Sequence, residues 1–538
     1  MTANFVLIGP PGTGKTEAAK RLIEGRPEGP PEARAFLTFT RAAAQEAVER
    51  IAGNTDPDVV EERFPLFRTL HSLAWRGLRA AKDIRVVRPY DLAAFAKLTG
   101  FLGHYSEGGW DDMGDCYSRL AEARTVWDRA YTAYKLSAIT APDARALIAA
   151  RHRMSPFACA TSGFLEEPVY QAFVSKYEDW KEKEGLADFT DMLSFALFEM
   201  APLENTRFVA LDESQDLCPL HHAIVERLFP NAEQIWWIGD DDQAIYKFAG
   251  ASAELFLDRA RRATAVIELT RTHRFGDRLA KFAGEIIKRI SRRVPKHMTG
   301  TGTETRIDFA GSFTPVHGDY LVLHRHVRGC ALVAKSYFDA GVPFRNERGY
   351  DPLGDREQIM SWQTLVKLAG GERVLPDAAR GAVMLVPNFA NGEEKARLVE
   401  KGGKSKLDRI HDEVDLGDLV KAGVLTPGGS AVVSRLEYAN LNRRQDLEYY
   451  ARVVANGHSL DLEQKTATIT TIHGSKGRQA KGVVVFQAMS RRCWDDADTE
   501  HRLAYVATTR TRDSLTLCAE RNLDWAKHPY EYPVEEKV

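Results

Sequence analysis

Apolar runs that break off into glycine-rich or acidic turns recur along this chain. The first, Phe5–Ile8, reads as a buried strand that ends in a glycine turn and leads into a helix ("FVLIGPPGTGKTEAAKRLIEG"). A strand with Phe39 and Thr40 precedes an amphipathic helix ("AFLTFTRAAAQEAVERI"). "TRFVALDESQD" is an apolar strand with Asp212 and Glu213 at its tip. "WWIGDDDQAIYKFAGA" is a hydrophobic strand ended by three aspartates and Gln243, with Tyr246 and Phe248 close behind. Near the C-terminus "YVATTRTR" reads as a strand followed by a turn that carries Arg510. The mixed-charge run "NGEEKARLVEKGGKSKLDR" reads as a solvated helical face. Taken alone, the three aspartates make an ordinary strand-end turn and the aromatics ordinary core.

The bulk numbers narrow the setting. A chain of 538 residues, 44% hydrophobic and 28% charged, is a globular protein with material for about three or four domains. Lys and Arg (73) nearly balance Asp and Glu (75), so any attraction for nucleic acid must come from local grooves. The 6 cysteines are scattered without a Cys-x-x-Cys pair, which argues against a structural metal or a disulfide framework and fits a reducing compartment. No apolar run approaches the roughly 20 residues that span a bilayer, and "MTANFVLIGPPG" lacks the basic start and long apolar core of a signal peptide. The expectation is a soluble cytoplasmic protein, of a bacterial or phage-infected cell, with no membrane partner.

Two motifs carry chemistry. The pattern Gly9-x-x-x-x-Gly14-Lys15-Thr16, with Pro10, Pro11, Gly12 and Thr13 between, is a phosphate-binding loop. Its glycines let backbone N–H groups turn toward phosphate oxygens at a helix N-terminus. Lys15 reaches the β- and γ-phosphates and Thr16 holds Mg²⁺. At the second strand tip, Asp212 suits Mg²⁺ coordination and leaves Glu213 to orient or deprotonate the attacking water. Either motif alone is common. Together they imply hydrolysis of a nucleoside triphosphate, because a switch-type binder does not require the glutamate.

Further segments follow in a particular order: "FRTLHSLAWRGL", "LADFTDML", "IELTRTHRFGDRLAKFAGEI", "TATITTIHGSKGRQAKGVVVF" and "HRLAYVATTRTRDSLTL". With the motifs above, from about Phe5 to Leu517, the chain resembles a superfamily-one DNA helicase of the UvrD/Rep/PcrA type. That resemblance implies an α/β fold of two RecA-like parallel-sheet lobes forming an ATP cleft, each with a mainly helical insert. The first lobe is expected at residues 1–75 and 160–268 around an insert at 76–159, and the second at 269–370 and 430–538 around a reduced insert at 371–429. It also implies ATP and Mg²⁺ as cofactors, 3′→5′ polarity, and single-stranded DNA and single-/double-strand junctions as partners, with a protein loading factor. By position in the matching motifs, Gln243 becomes the γ-phosphate sensor and Arg274 and Arg510 the arginine fingers, with His273 and Gln479 at the nucleotide base and ribose. Phe39, Thr40, Thr69, His71, Tyr246, Phe248, Thr470, Thr471, His473 and Trp525 become DNA-side candidates, Tyr246 and Phe248 as stacking platforms and Trp525 as a strand-separating aromatic.

The likeness has departures. The phosphate loop opens at Gly9, which leaves no room before it for the family's adenine-reading glutamine segment, so base specificity is expected to be loose. Thr272-His273-Arg274 stands for Asn-Tyr-Arg, Arg478-Gln479 for Leu-Glu, and Ala249 for an arginine. Three alternatives stay open: a translocase that strips proteins from DNA with little unwinding, a non-motor NTPase switch acting on a protein partner, and an RNA-directed motor.

Overall fold

The computed structural model describes residues 2–25, 29–38, 62–88, 90–91, 94–95, 98, 167–247, 251–390, 393–398, 405–461, 463–488, 493 and 496–519. The chain divides into two compact units. One gathers Met1–Ile307, Met489–Leu515 and Asn522–Val538, the other Asp308–Ala488 and Thr516–Arg521. Residues 269–307, assigned from motif order to the second lobe, cluster here with the first unit.

In the first unit, strands β1 (Ala3–Ile8), β2 (Arg34–Thr38), β3 (Phe67–Thr69), β6 (Phe208–Leu211), β7 (Gln234–Gly239) and β8 (Ala265–Glu268) form one sheet in the order β3-β2-β6-β7-β1-β8. A short ribbon, β4 (Arg85–Val86) with β5 (Leu186–Ala187), stands beside it. Every pairing in the larger sheet is parallel. Parallel strands need crossovers that cover both faces, so their side chains are apolar on both. Val6, Ile8, Leu37, Val209, Ile235 and Trp237 pack into one layer. Leu7, Phe36, Phe208, Trp236 and Ile238 pack into the other. The buried indole of Trp237 is satisfied by Asn4 Oδ1 at 3.0 Å.

"LADFTDML" starts a helix. Asp188 caps Phe189–Phe198 by accepting from the N–H groups of Thr190 and Asp191, both at 2.9 Å, and Asp191 returns the bond to the Asp188 N–H at 2.9 Å. The same two carboxylates flank the buried ammonium of Lys181, with Asp188 Oδ2 at 3.0 Å. One short sequence therefore caps a helix and neutralises a buried charge.

The second unit's sheet has the order β11-β14-β10-β15-β16-β9, from β9 (Arg306–Ala310), β10 (Tyr320–His324), β11 (Phe344–Asn346), β14 (Ala467–Thr471), β15 (Ala480–Phe486) and β16 (Thr511–Cys518). The chain crosses the unit boundary along β9 and β16. β11, β14, β10 and β15 run parallel. Val322, Ile469 and Val484 of the sheet share one core with Tyr337, Trp362, Leu365, Leu447, Tyr449 and Tyr450 of the surrounding helices. The tyrosines stay satisfied at depth, Tyr449 donating to Val342 O at 2.9 Å and Tyr450 to Pro352 O at 2.8 Å.

Two local expectations are corrected. "YVATT" is helical, not a strand: Ala497–Thr508 is one helix, capped by Asp496 and buried almost throughout, and Arg510 follows its end before β16. The apolar stretch Leu503–Ala507 is too short for its period to separate helix from strand, and the buried Glu500, His501 and Arg502 before it mask the apolar face. The run around Glu393 is not a helical face. Glu393–Glu394 is strand β13, paired antiparallel with β12 (Phe389–Ala390). Lys395 there bonds Glu393, two residues away, at 2.7 Å, the spacing that shares a side in a strand.

Asp188→Ala removes the cap and one of the two carboxylates nearest a buried ammonium. It should lower the unfolding free energy by about 2–3 kcal/mol, read as a shift in the urea midpoint against wild type.

Candidate active site

β1 stops at Ile8, and Gly9–Gly14 curl onto the start of the helix Lys15–Glu24. Gly12 and Gly14 take φ of +77° and +80°. At Gly12 a Cβ would lie 2.7 Å from both Arg274 Cβ and Thr272 Oγ1, so the loop admits no side chain there. Thr13 Oγ1 donates to Pro10 O at 2.8 Å. Lys15 Nζ donates to Gly9 O at 2.8 Å and Pro10 O at 3.3 Å. Burial pulls the Lys15 ammonium below its ordinary pKa, while Asp240, Glu213 and Asp212 oppose that shift. The result is a desolvated cation at a helix N-terminus, suited to a phosphate.

β6 lies beside β7, and β7 beside β1, so their ends meet at one edge of the sheet. Thr16 Oγ1 donates to Asp212 Oδ2 at 3.0 Å. Asp212 is pushed up to about 6 by its burial and then by the charge of Glu213. A hydroxyl and a carboxylate side by side fit Mg²⁺, which takes a few hard oxygen ligands from protein and keeps several waters. Glu213 sits at φ +54° and donates its N–H to Asp212 Oδ1 at 2.9 Å. Its own carboxylate accepts from Gln215 Nε2. Gln215 Oε1 accepts the Asp240 N–H at 3.0 Å, which ties the end of β6 to the end of β7. A Cβ on Gly239 would fall 2.2 Å from that oxygen.

Gln243 lies at the centre of the acidic turn. Its Nε2 donates to Asp240 Oδ2 at 2.8 Å and its Oε1 accepts from Arg510 Nη2 at 2.8 Å. Arg510 is aimed by a second bond, from Nε to Val506 O at 3.0 Å. Arg274 Nη1 donates to Thr509 O at 3.0 Å, and its buried Nε has no hydrogen-bond partner among the described residues. Burial, then the Arg510 charge, pull Arg274 down to about 9. Thr272 Oγ1 donates to Pro11 O at 2.7 Å and the His273 N–H to Gly12 O at 2.8 Å, while the His273 side chain is exposed. The structure thus brings together Lys15, Thr16, Asp212, Glu213, Gln243, Arg274 and Arg510 in one unit.

Family models match both ends of the chain. Residues 1–264 match the UvrD/REP helicase N-terminal domain and residues 466–518 the UvrD-like helicase C-terminal domain. The chain belongs to the UvrD/REP helicase family. Its relatives include proteins named ATP-dependent DNA helicase YjcD (23% identical, 95% of this chain and 76% of that protein) and ATP-dependent DNA helicase PcrA (24%, 49% and 34%), both from Bacillus subtilis. DNA helicase II of Haemophilus influenzae is 25% identical over 56% of this chain and 40% of its own. The chain thus spans about three quarters of YjcD but well under half of the other two. A solved PRRSV helicase overlaps 96% of this chain and 52% of its own at 10% identity, with a TM-score of 0.33.

The DNA-side candidates of this UvrD-like chain fare unevenly. Thr69 Oγ1 accepts the Ser72 N–H at 3.0 Å and so caps the helix Leu70–Ala81. His71 packs edge-on against His221 and Phe189, with ring centroids 5.4 and 5.8 Å away. Burial, then His221, hold it at about 3, so its ring is neutral. Tyr246, three residues past Gln243, is half-buried. Phe39, Thr40, Phe248 and Trp525 lie outside the described residues. In the second unit, Thr471 Oγ1 accepts the Gly474 N–H at 3.1 Å and the Thr470 hydroxyl is buried without a hydrogen-bond partner among the described residues. His473 is held at about 3 by burial, then by Arg325 and Lys476. Gln479 is exposed and lines a cavity of about 470 Å³ with Asp319, Arg345 and Lys465.

Two residues escaped the motif reading. Gln215 looks like any polar residue after a strand, and only its two bonds reveal its task. Phe189 is 59% exposed beside His71. The signal for it was present in "LADFTDML": an aromatic directly after a capping aspartate starts a helix facing outward.

Arg510→Ala should cut kcat by about 10³-fold, as expected for an arginine finger, and change nucleotide affinity only a few-fold; steady-state and nucleotide-binding titrations separate the two. Stability should also track histidine protonation. His221 and His222 are buried and held at about 4 and about 3. Below about pH 6.5 the unfolded chain takes up protons that the folded one refuses, so each histidine removes up to about 1.4 kcal/mol of stability per pH unit. The urea midpoint should therefore fall from pH 7 to 5, less steeply in His221→Gln.

Proposed function

We propose that this chain is an ATP-dependent DNA helicase of the UvrD/PcrA type, a motor that moves 3′→5′ along single-stranded DNA. The observation that carries the reading is the Gln243 amide held between Asp240 and Arg510. A group able to feel a terminal phosphate is bonded directly to a guanidinium able to stabilise charge on it.

Each residue then has a task. Lys15 balances the charge of the β- and γ-phosphates. Thr16 and Asp212 would hold Mg²⁺, which supplies charge neutralisation at the phosphates. Glu213, oriented by Gln215, accepts a proton from the attacking water. Arg274 and Arg510 stabilise charge on the transferring phosphoryl group, a role that suits an always-charged planar fork. Tyr246, close behind Gln243, and Phe248 are candidates for stacking on bases, with Phe189 and Phe39; Thr69, His71 and Thr40 are candidates for backbone contacts and Trp525 for strand separation. Thr470, Thr471 and His473 are candidates for phosphate and sugar contacts, and His273 and Gln479 for contacts with the base and ribose. The 3′→5′ direction rests on the family pattern in "GDDDQAIYKFAGA". The setting is cytoplasmic DNA repair, recombination or replication, at single-/double-strand junctions and with a loading factor.

The decisive measurement is ATP turnover with and without single-stranded DNA, followed by strand separation on duplexes with a 3′ or a 5′ tail. Single strands should stimulate turnover strongly, Lys15→Ala should abolish it, and only the 3′-tailed duplex should open. Turnover indifferent to nucleic acid would favour a switch, and stimulation without unwinding a translocase that displaces proteins.

A further inference from the structure

The three aspartates that close β7 share one cation. Lys296 Nζ lies 2.8 Å from Asp240 Oδ1, 2.6 Å from Asp241 Oδ1 and 2.8 Å from Asp242 Oδ2, and all four side chains are fully buried. Their carboxylates lie close enough together to suit a metal ion, but the ammonium of Lys296 is the charge they enclose. Neighbours complete the cage. Arg293 forks onto Asp242 at 2.7 and 3.0 Å, and the Val294 N–H donates to Asp241 Oδ2 at 2.9 Å. From the helix Ala497–Thr508, Arg502 donates to Asp241 O at 3.0 Å and the Tyr505 hydroxyl to Asp240 Oδ2 at 3.4 Å.

Three adjacent buried carboxylates cannot all stay ionised without such a counter-charge. Asp240 is the one on which the sensor depends. Burial alone would raise it, yet Lys296, with Lys15 behind it, holds it below the usual carboxylate range. An ionised carboxylate only accepts hydrogen bonds. Gln243 must therefore turn its NH₂ toward Asp240, which leaves its carbonyl for Arg510. A protonated Asp240 could donate instead, the amide could turn over, and its NH₂ would then face the guanidinium donor to donor.

We propose that Lys296 is a positioning residue for phosphate sensing: by keeping Asp240 an acceptor, it sets the orientation of the Gln243 amide and, through it, of the Arg510 guanidinium. This rests on the reading of Gln243 and Arg510 as sensor and finger. The Lys296 ammonium bonds the three aspartates, and its route to the sensor is the carboxylate of Asp240.

The test uses the full chain, with steady-state ATP turnover in saturating single-stranded DNA and thermal melting measured together. Lys296→Met should lower kcat at least tenfold and leave KM for ATP within about threefold, because the loop that holds the phosphates is untouched. Its kcat should recover as pH rises from 6 to 9 and Asp240 loses its proton, whereas wild type stays flat over that range. Lys296→Met/Asp241→Asn, which removes one acid with the cation, should regain much of the kcat. Should Lys296→Met fail to fold, Asp240→Asn keeps the shape, supplies a donor in place of the acceptor, and should reproduce the loss. Wild-type kcat in Asp240→Asn would overturn the inference. So would a double variant that regains melting temperature but not kcat, or a Lys296→Met loss that ignores pH. A wild-type chain without ATP turnover would instead sink the motor reading, and this inference with it.

Discussion

The parallel pairing of β6, β7 and β1 is the constraint on which the rest of the first unit depends. In that register Leu211 stands against Trp237 and Ile8 against Gly239, so the three strands release their chains at one edge of the sheet. Phosphate loop, Asp212 and Glu213, and the acidic turn with Gln243 are each the first residues beyond a strand. Because both faces are apolar, alternation of hydrophobic and polar residues cannot set this register, as it would in a sheet wet on one side. The strand ends set it instead: Gln215 spans β6 and β7, and Gly239 leaves space for it.

Buried charge is the second theme. Lys15 rests on loop carbonyls, Lys181 between two caps, and Lys296 among three aspartates. Removing one member of such a group strands the others, a far larger loss than the net worth of the pair. The groups thereby become rigid, and rigidity is what a phosphate sensor needs, since an amide that could rotate would report nothing. Arg274 departs from the pattern, with a buried Nε that has no hydrogen-bond partner among the described residues. Its Nη1 still donates to Thr509 O at 3.0 Å, so one side of the guanidinium is anchored and the other is not.

Other residues do double duty. Thr69 and His71 were singled out for nucleic acid, yet one caps a helix and the other packs as a neutral ring. Their places in the motif "TLHS" are accounted for by folding before any binding is invoked, and a contact with DNA would have to use groups already engaged. Phe189, absent from the motif reading, stands 59% exposed with its ring edge-on to His71. An aromatic standing out of a rigidly capped helix loses little on meeting a base.

The sequence by itself determined the phosphate loop and the Asp212–Glu213 tip, because each is a contiguous stretch whose function follows from backbone geometry at a strand end. It also determined the two parallel-sheet lobes, through the order of motifs along the chain. It misjudged Ala497–Thr508, since Glu500, His501 and Arg502 are buried there beside the apolar residues and polarity no longer marks which side faces water. It was silent on Gln215 as a tie between strands and on Lys296 as the partner of three aspartates more than 50 residues away. Those roles are decided only when the folded chain excludes water from charges distant in sequence, and each must then find its partner.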